Sequence, residues 1–582
     1  MEGHRHSGEH LIHQHVEHLS SDDQAILETA SVVGPSTRWQ KSVGGLSAAS
    51  PTHSAEPTDE SFAVRSTSFS VAAVATGVEQ GEAEIEARCT TWIRQDQFLY
   101  AEGVETWPDG TVTAGYRFRH ALYHEVVYAR VSAGQRVRLH RQIGNGLEAR
   151  YGAQAATIAA ELAVHFERGG ADQRAVIYLH QAAENARQRS AYLEALAHLT
   201  RGLEIATRLP DTLERARYEF ALQRDRGAAL VALKGYAAPE VAQAYGRARI
   251  LCDQLGSSSE RFPAIYGLYA FHTVRAELQT ASELGMQLFQ LGQDQIAPAF
   301  TPAAHFGLGA IFFHTGEPVR ALEYLEQASA LYDPQQHDTQ VAQHGVDCGV
   351  FAHAYASHTL WLLGYPDQAL SRCQSALSLA CQLSHPFSIV LSLCYLAMLA
   401  QLRGAPKAAG EHAAAAITLS SDQGFNYYFA WSCFLQSWAR MTGNRNASDI
   451  VPMHQSLSDL EATGARLRRP YYLSIMAQSD GRAGQVDSAS SLLAQALAET
   501  QAETRFRQGL EIAQQQDAKS LELRAATSLS RLWQSQNKRQ DAYALLAPVY
   551  DWFTEGFDTA GLQEAKQLLD KLSVEMSPPT AE

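Results

Sequence analysis

The densest set of chemically useful side chains lies in YRFRHALYHEVVYARV, residues 116–131, where His120 and His124 stand one helical turn apart and Glu125 follows the second. Two imidazoles at i and i+4 share one face of a helix and could hold zinc. The zinc-hydrolase pattern H-E-x-x-H places its glutamate base directly after the first histidine. Here Ala121 stands there, Glu125 projects to another side of the helix, and no third ligand is near in sequence. The stretch reads as structural. A second set, His4, His6, His10, His13, His15 and His18, matches no ordered zinc spacing; the first ten residues read as disordered, with adventitious metal binding at most.

Nucleotide chemistry finds no support. A phosphate loop needs a lysine after glycine so that backbone amides and one ammonium meet the phosphates, and none of the chain's lysines follows a glycine. The seven cysteines, Cys89, Cys252, Cys348, Cys373, Cys381, Cys394 and Cys433, form no C-x-x-C pair and read as reduced core residues. Neither a catalytic residue, a cofactor nor a metal is expected. Arg136, Arg138 and Arg141 in QRVRLHRQI could touch phosphates, but acidic neighbours on a solvated face are their expected partners. A net charge of -15 and a pI near 5.9 also disfavour nucleic acid as a partner. There is no apolar run long enough to span a membrane and no signal-peptide stretch at the start, so the expected location is cytoplasmic.

Aromatic residues offer binding rather than catalysis. FNYYFAWSCF (425–434) and RPYYLSIM (469–476) place Tyr427, Tyr428, Trp431, Tyr471 and Tyr472 on expected helices. Such rings on an inner curve can anchor a peptide or a small ligand, and these five are the candidate groove. Packing between helices is the competing use, and the more frequent one.

The elements that must position these residues are helices. From about residue 153 to 573, apolar residues recur at three and four, and alanine, leucine, glutamine, glutamate and arginine dominate. A repeat runs through them. Gly316 is followed at offsets of five, nine and twelve by Ala321, Leu325 and Ala328. The same offsets follow Gly170 (Ala175, Leu179, Ala182), Gly364 (Ala369, Cys373, Ala376) and Gly404 (Ala409, Ala413, Ala416). They follow Gly484 (Ala489, Leu493, Ala496) as well, and more weakly Asn537 (Ala542, Leu546, Val549). A glycine in a left-handed cap ends one helix, and small residues on the next let two helices approach closely. Leu308, Gly309 and Phe312 supply a matching first helix. The successive glycines Gly316, Gly364, Gly404, Gly443 and Gly484 stand 48, 40, 39 and 41 residues apart. That is longer than the ~34 residues of a tetratricopeptide repeat, so the copies are degenerate. The expected class is all-α, a tetratricopeptide-like helical solenoid.

The beginning differs. HLSSDDQAILETASVVG reads as a helix with Ser21 and Gln24 in capping-box spacing, FSVAAVATG and EQGEAEIEARCTTWI as two more, and QFLYAEGVETWPDGTVTAGYRF as two strands around the turn Trp107 to Gly110. Three helices and a hairpin make a small winged-helix-like domain. The expected organisation is 1–33, a first helix with a His-rich disordered start; 34–68, a flexible insertion rich in Ser, Thr, Ala, Pro and Gly; 69–130, the rest of the winged helix; 131–573, the solenoid; and 574–582, a disordered tail.

The stretches HLSSDDQAILETASVVG, FSVAAVATG, WPDGTVTAGYRFRHALYHEVVYARV and ELAVHFERGGADQRAVIYLHQAAENA, with KGYAAPEV, LLGYPDQAL, LSHPFS and AKSLELRAATSLSRLWQ further on, resemble one family. It is the region after the ATPase core in bacterial STAND-type signalling ATPases and in predicted ATPases fused to class III adenylate or guanylate cyclase domains. The resemblance covers nearly the whole chain outside 34–68 and the ends. It implies that Phe118, Arg119, His120 and Leu122 sit at a hinge between winged helix and helical arm. It implies also a nonenzymatic regulatory or sensor arm that binds a protein or small-molecule inducer, with an ATPase or cyclase domain as partner in cis or in trans. The ATPase core and the cyclase precede this region in relatives and are absent from the sequence, so their activities do not carry over. Two alternatives stand beside the arm: a separated or truncated part of such a regulator whose catalytic domains are encoded upstream, and a DNA-binding transcriptional regulator.

Overall fold

A computed structural model describes residues 2–33, 68–256, 260–293, 300–337, 341, 346–444, 449–482, 499–536 and 538–576. The insertion expected at 34–68 lies outside these except for Ser68, as do the Gly484 copy of the repeat and the expected tail beyond residue 576. The chain divides into two compact units, residues 1–222 and 223–582.

The first unit opens with α1 (Glu2–Glu17) and α2 (Ser21–Val33). The His-rich start, expected to be disordered, is therefore helical: Ile12 and Val16, one turn apart, are buried on one face and seat α1 against the helix Ala121–Arg130. The cap of α2 is shifted by one residue from the expected Ser21. Ser20 Oγ accepts the Asp23 N–H at 3.1 Å and its hydroxyl donates to the Asp23 carboxylate at 2.8 Å, while the Gln24 amide donates to Leu19 O.

FSVAAVATG is only partly helical. Ser68–Ser70 form β1, and α3 is the single short turn Val71–Ala75. After α4 (Glu82–Arg94), β2 (Leu99–Thr106) and β3 (Val112–Phe118) make the expected hairpin, closed by Gly110 N–H on Trp107 O at 2.9 Å with Gly110 at φ 86°. The sheet is antiparallel in the order β1-β3-β2, with Phe69 opposite Tyr116 and Leu99 opposite Phe118. Helices α5 (Ala121–Arg130), α6 (Ala133–Tyr151), α7 (Ala159–Arg168), α8 (Asp172–Gln188) and α9 (Tyr192–Ala206) complete the unit. The division between units falls within α10 (Leu213–Lys234). The first helices of the expected solenoid thus belong to the first unit.

The second unit is an array of helical hairpins. After α11 (Pro239–Leu255) come the pairs α12 (Arg261–Val274) with α13 (Leu278–Gln293), α14 (Thr301–Thr315) with α15 (Pro318–Leu331), and α16 (Cys348–Leu363) with α17 (Pro366–Gln382). Then follow α18 (Pro386–Leu402) with α19 (Pro406–Gln423), α20 (Asn426–Asn444) with α21 (Ile450–Ala462), and α22 (Arg469–Arg482). Gly316, Gly364 and Gly404 are left-handed, at φ 84°, 92° and 72°, and end the first helix of a pair. Proline at the next helix start restarts the chain without wasting a backbone donor.

The offsets of the repeat are contacts. Ala321, Leu325 and Ala328, then Ala369, Cys373 and Ala376, then Ala409, Ala413 and Ala416 are all fully buried. A Cβ placed on Gly309 would lie 2.7 Å from Leu325 Cγ, so glycine on one helix accepts leucine from the next. Gly443 differs from its fellows: it lies inside α20 and carries no left-handed cap.

Two features of this unit were not expected. First, the array closes on itself. The N–H groups of Arg466 and Leu467 both donate to Val274 O, at 2.9 and 3.0 Å, and the hydroxyls of Tyr236 and Tyr428 meet at 3.3 Å. Second, α23 (Glu499–Gln515), α24 (Lys519–Ser535), α25 (Arg539–Asp551) and α26 (Ala560–Met576) form a core of their own, from Leu510 to Leu572, and dock on the glycine turns. Gly364 abuts Trp552 and Lys519, and Gly404 abuts Ala560.

Candidate functional site

The first helices of the pairs are apolar nearly all round, which means burial on every side. On α18, thirteen residues from Phe387 to Ala400 are buried. Their aromatic residues meet inside the closed turn. Phe306 lies 5.4 Å from Tyr355, Tyr355 5.5 Å from Tyr395, and Tyr395 5.5 Å from Trp431, centroid to centroid, so one contact passes from α14 through α16 and α18 to α20. Trp431 is stacked near Tyr428 at 6.1 Å, and Tyr427 stands edge-on to Tyr236 at 6.0 Å. Offset and edge-on rings of this kind gain more than their buried area alone.

One permanent charge enters this interior. Arg468, in the turn before α22, donates from Nη2 to the Tyr395 hydroxyl at 2.8 Å. Its guanidinium carbon lies 4.5 Å from the Trp431 ring centroid and 4.8 Å from that of Tyr395. A guanidinium flanked by two rings gains cation–π energy, but no Asp or Glu among the described residues pairs with it. Its sequence neighbour Arg469 does have a carboxylate, Glu461, at 2.6 Å. Two more donors stand nearby without acceptors among the described residues: the Trp431 indole N–H and the Tyr472 hydroxyl, on side chains 1% and 3% exposed.

The surrounding groups are neutral. Burial, then the Arg468 charge, pushes His314 and His358 down to about 3. His358 Nε2 donates to Tyr395 O at 3.1 Å, and His314 Nε2 lies 3.2 Å from the Tyr355 hydroxyl. Burial raises the tyrosines, Tyr427 to about 12 and Tyr395, Tyr428 and Tyr472 well above their ordinary value. The cluster can therefore stack, donate hydrogen bonds and attract negative charge.

All five candidate groove residues belong to this cluster. Tyr428, Trp431 and Tyr472 are buried, Tyr427 and Tyr471 half-buried, and the Tyr471 hydroxyl donates to the Gln401 side chain at 2.6 Å. The rings pack between helices in an interior, the more frequent of the two uses weighed for them. The sequence reading missed Tyr236, Tyr355, Tyr395 and Arg468. Arg468 had one readable signal: it opens the RRP run before an aromatic pair, where neither arginine has an acid within a helical turn.

In the first unit, Phe118 closes β3 and is buried; Arg119 pairs with Asp96 and lies over the Tyr100 ring at 4.6 Å. His120 is the N-cap of α5, its Nδ1 accepting the Leu122 N–H at 3.3 Å, and Leu122 is half-buried. The candidate hinge is thus a strand-to-helix corner. His124 stacks on Tyr128 at 6.1 Å and meets Phe118 edge-on at 5.6 Å. No group of three His, Cys, Asp or Glu residues that could hold a metal is found among the described residues.

Two of the three QRVRLHRQI arginines, Arg136 and Arg141, bond backbone carbonyls where acidic partners were expected. Arg136 donates to Val131 O and Ala129 O, and Arg141 to Gly169 O, each closing the C-terminal end of a helix. Of the cysteines, Cys89, Cys252, Cys348, Cys373 and Cys394 are buried, Cys433 is half-buried and Cys381 is exposed.

No protein-family model matches the chain. Over 388 residues, 66% of the chain, it is 23% identical to an uncharacterised protein of Rhizobium meliloti strain 1021, and it spans 37% of that protein's length. Among solved structures it is similar to a Rap protein complexed with competence and sporulation factor, at 10% identity, 68% of this chain, 99% of that one and TM-score 0.43. It is similar also to a STAND protein with a tetratricopeptide repeat sensor from Pyrococcus horikoshii, at 9% identity, 78% of this chain, 65% of that one and TM-score 0.32. A third is the APC/C hetero-tetramer Cut9-Hcn1, at 11% identity, 76% of this chain, 97% of that one and TM-score 0.30. These likenesses are ones of helical stacking. The tetratricopeptide-like fold of this chain stands on its own paired helices, glycine turns and buried alanines.

Proposed function

We propose that the chain is a nonenzymatic sensor and protein-interaction arm of a bacterial signalling ATPase, its helical array taking up a ligand and its state being read by an ATPase domain in cis or in trans. The observation that carries the reading is the closed turn of helical hairpins, with ring stacking and unmatched donors at its centre. The resemblance of the β2–β3 hairpin, the α5 corner and the repeat segments to the region after the ATPase core of STAND-type regulators supports the signalling role. So does the fact that the Rhizobium meliloti relative extends well beyond the matched part. In this reading residues 1–33 and 69–130 of the first unit are the winged helix, and Phe118, Arg119, His120 and Leu122 form the corner that passes the signal. Ligand binding biases the attached ATPase only by binding one state more tightly than the other.

The test is to purify the tagged full chain from the organism that encodes it and identify what comes with it. A phosphate-loop ATPase, as a separate chain or fused upstream, is the expected result and also identifies the split-regulator arrangement. Double-stranded DNA retained at physiological salt, with no ATPase, would overturn the reading in favour of a DNA-binding regulator.

A further inference from the structure

The unpaired guanidinium at the centre of the second unit names the chemistry of its ligand. A charge taken out of water is normally kept beside an opposite charge, because a low-dielectric surrounding penalises it heavily when alone. Arginine cannot escape by losing its proton. Arg468 is half-buried among Tyr395, Trp431, Tyr427 and Tyr472, and the one hydrogen bond it makes among the described residues goes to the Tyr395 hydroxyl. The rest of its planar fork of N–H groups is uncommitted, and that fork matches a carboxylate in two parallel bonds.

Independent of Arg468, the Trp431 N–H and the Tyr472 hydroxyl are buried donors without acceptors in the same cluster. Unsatisfied buried donors are rare, because each gives up its bonds to water and gets nothing back. These two donors, together with the part of the Arg468 fork that meets no acceptor among the described residues, call for an acceptor-rich group, and a carboxylate supplies several lone pairs at once. The flanking rings then fit an apolar or aromatic body.

The closure of the turn decides the size. The bonds from Arg466 and Leu467 to Val274 O bind the turn that carries Arg468 to the far side of the array, and Tyr236 meets Tyr428 across the same interior. An extended peptide needs an open groove along several repeats; a small molecule does not. We infer that the second unit takes up a small organic acid, its carboxylate held by Arg468 and its apolar body against the rings of Tyr395, Trp431 and Tyr427. This rests on the sensor-arm reading and specifies its ligand.

The experiment is calorimetric titration of the full chain with phenylacetate, salicylate and indole-3-acetate, with phenylacetamide as the uncharged control of the same shape and a short phenylalanine-terminated peptide, as free acid and as amide, as the alternative source of a carboxylate. At least one small acid should bind saturably, and its amide at least about tenfold more weakly, the effect of a single well-made charged contact. Arg468→Met should lose the acid at least tenfold while circular dichroism stays unchanged and the chain still melts cooperatively, and Arg468→Lys should recover part of it. Equal binding of acid and amide, or no acid bound at about 10 mM by a folded protein, overturns the inference. Binding of the peptide acid alone overturns the small-molecule source and leaves an open groove in its place. An Arg468→Met chain that still carries its ATPase but not the acid separates the ligand's identity from the sensor-arm reading itself.

Discussion

Two arginines of the second unit face the same electrostatic problem and meet it differently. Arg403, at the end of α18, is 9% exposed; it donates to Pro366 O at 2.6 Å and reaches the carboxylates of Asp367 at 3.1 Å and Asp558 at 3.0 Å. It ties the α16–α17 turn to the segment between α25 and α26. Next to it Glu555 accepts the N–H groups of Asp367 and Gln368 at the start of α17, and Gly556 N–H returns a bond to Asp367. Every charge in that seam is answered. Arg468 is answered by two ring faces and one hydroxyl. The difference separates an arginine that holds the fold from one held by it. A structural role explains Arg403 fully, and leaves the free edge of Arg468 without a reason.

The largest expected effect tests whether the interior is a packed core as well as a site. Trp431→Ala removes the ring that Arg468, Tyr395 and Tyr428 share and should cost about 3–5 kcal/mol in urea unfolding. A loss under about 1 kcal/mol would mean that the interior is loosely filled and that the rings do not define it.

Acid should strike the Arg468 region rather than the seam. The His358 pKa is about 3, held below its usual value by burial and then by Arg468. A depressed histidine pKa gives stability that is present above the unfolded value of about 6.5 and lost as pH falls from there toward 3. The loss should be on the order of a few kcal/mol by pH 4 for this residue, smaller in Arg468→Met because one of its two causes is gone. Urea midpoints at pH 7, 5 and 4 for the two proteins measure it; identical losses would remove Arg468 from the field at His358.

The seam should loosen without disturbing the interior. Glu555→Ala takes away the carboxylate that meets two N–H groups at the start of α17 and should cost about 1 kcal/mol. Hydrogen exchange should quicken in α23 to α26 and hold steady in α18 and α20. Faster exchange in both would show that the seam and the interior open as one.

What the sequence made legible follows from range. The repeat could be read because its causes are local: Gly316, Gly364 and Gly404 need a left-handed backbone, and Ala321, Ala369 and Ala409 need to be small where two neighbouring helices cross. The hairpin around Trp107 to Gly110 was legible for the same reason. Register one residue finer was not, since Ser20 and Ser21 are both able caps and only Asp23 returning to Ser20 decides between them. Strand β1 was hidden because Phe69 and Ser70 run straight into an apolar helix, and their pairing partner β3 lies beyond α4 and β2.

The candidate site was legible by halves. Tyr427, Tyr428, Trp431, Tyr471 and Tyr472 announced themselves as a cluster of rings in two short stretches. Their partners are set by the closing of the turn, in which Tyr236 meets Tyr428 from 192 positions away. No periodicity carries that information. Nor does composition single out Arg468, whose meaning lies in the carboxylate it lacks while Arg469 beside it has Glu461. The six early histidines misled in the opposite direction: they masked the Ile12 and Val16 pair that makes α1 a packed helix.

The most direct measurement compares the two arginines in one experiment, the urea unfolding free energy of Arg403→Met and Arg468→Met against the unaltered chain. Arg403→Met should lose about 1–3 kcal/mol, because it orphans bonds that cross the seam. Arg468→Met should stay within about 1 kcal/mol or gain, since removing a half-buried charge that no carboxylate answers relieves a cost as it gives up two ring contacts and one hydrogen bond. That result would leave Arg468 as a residue kept for what binds it. A loss at Arg468 equal to or larger than that at Arg403 would contradict the account and return the aromatic interior to plain structural packing.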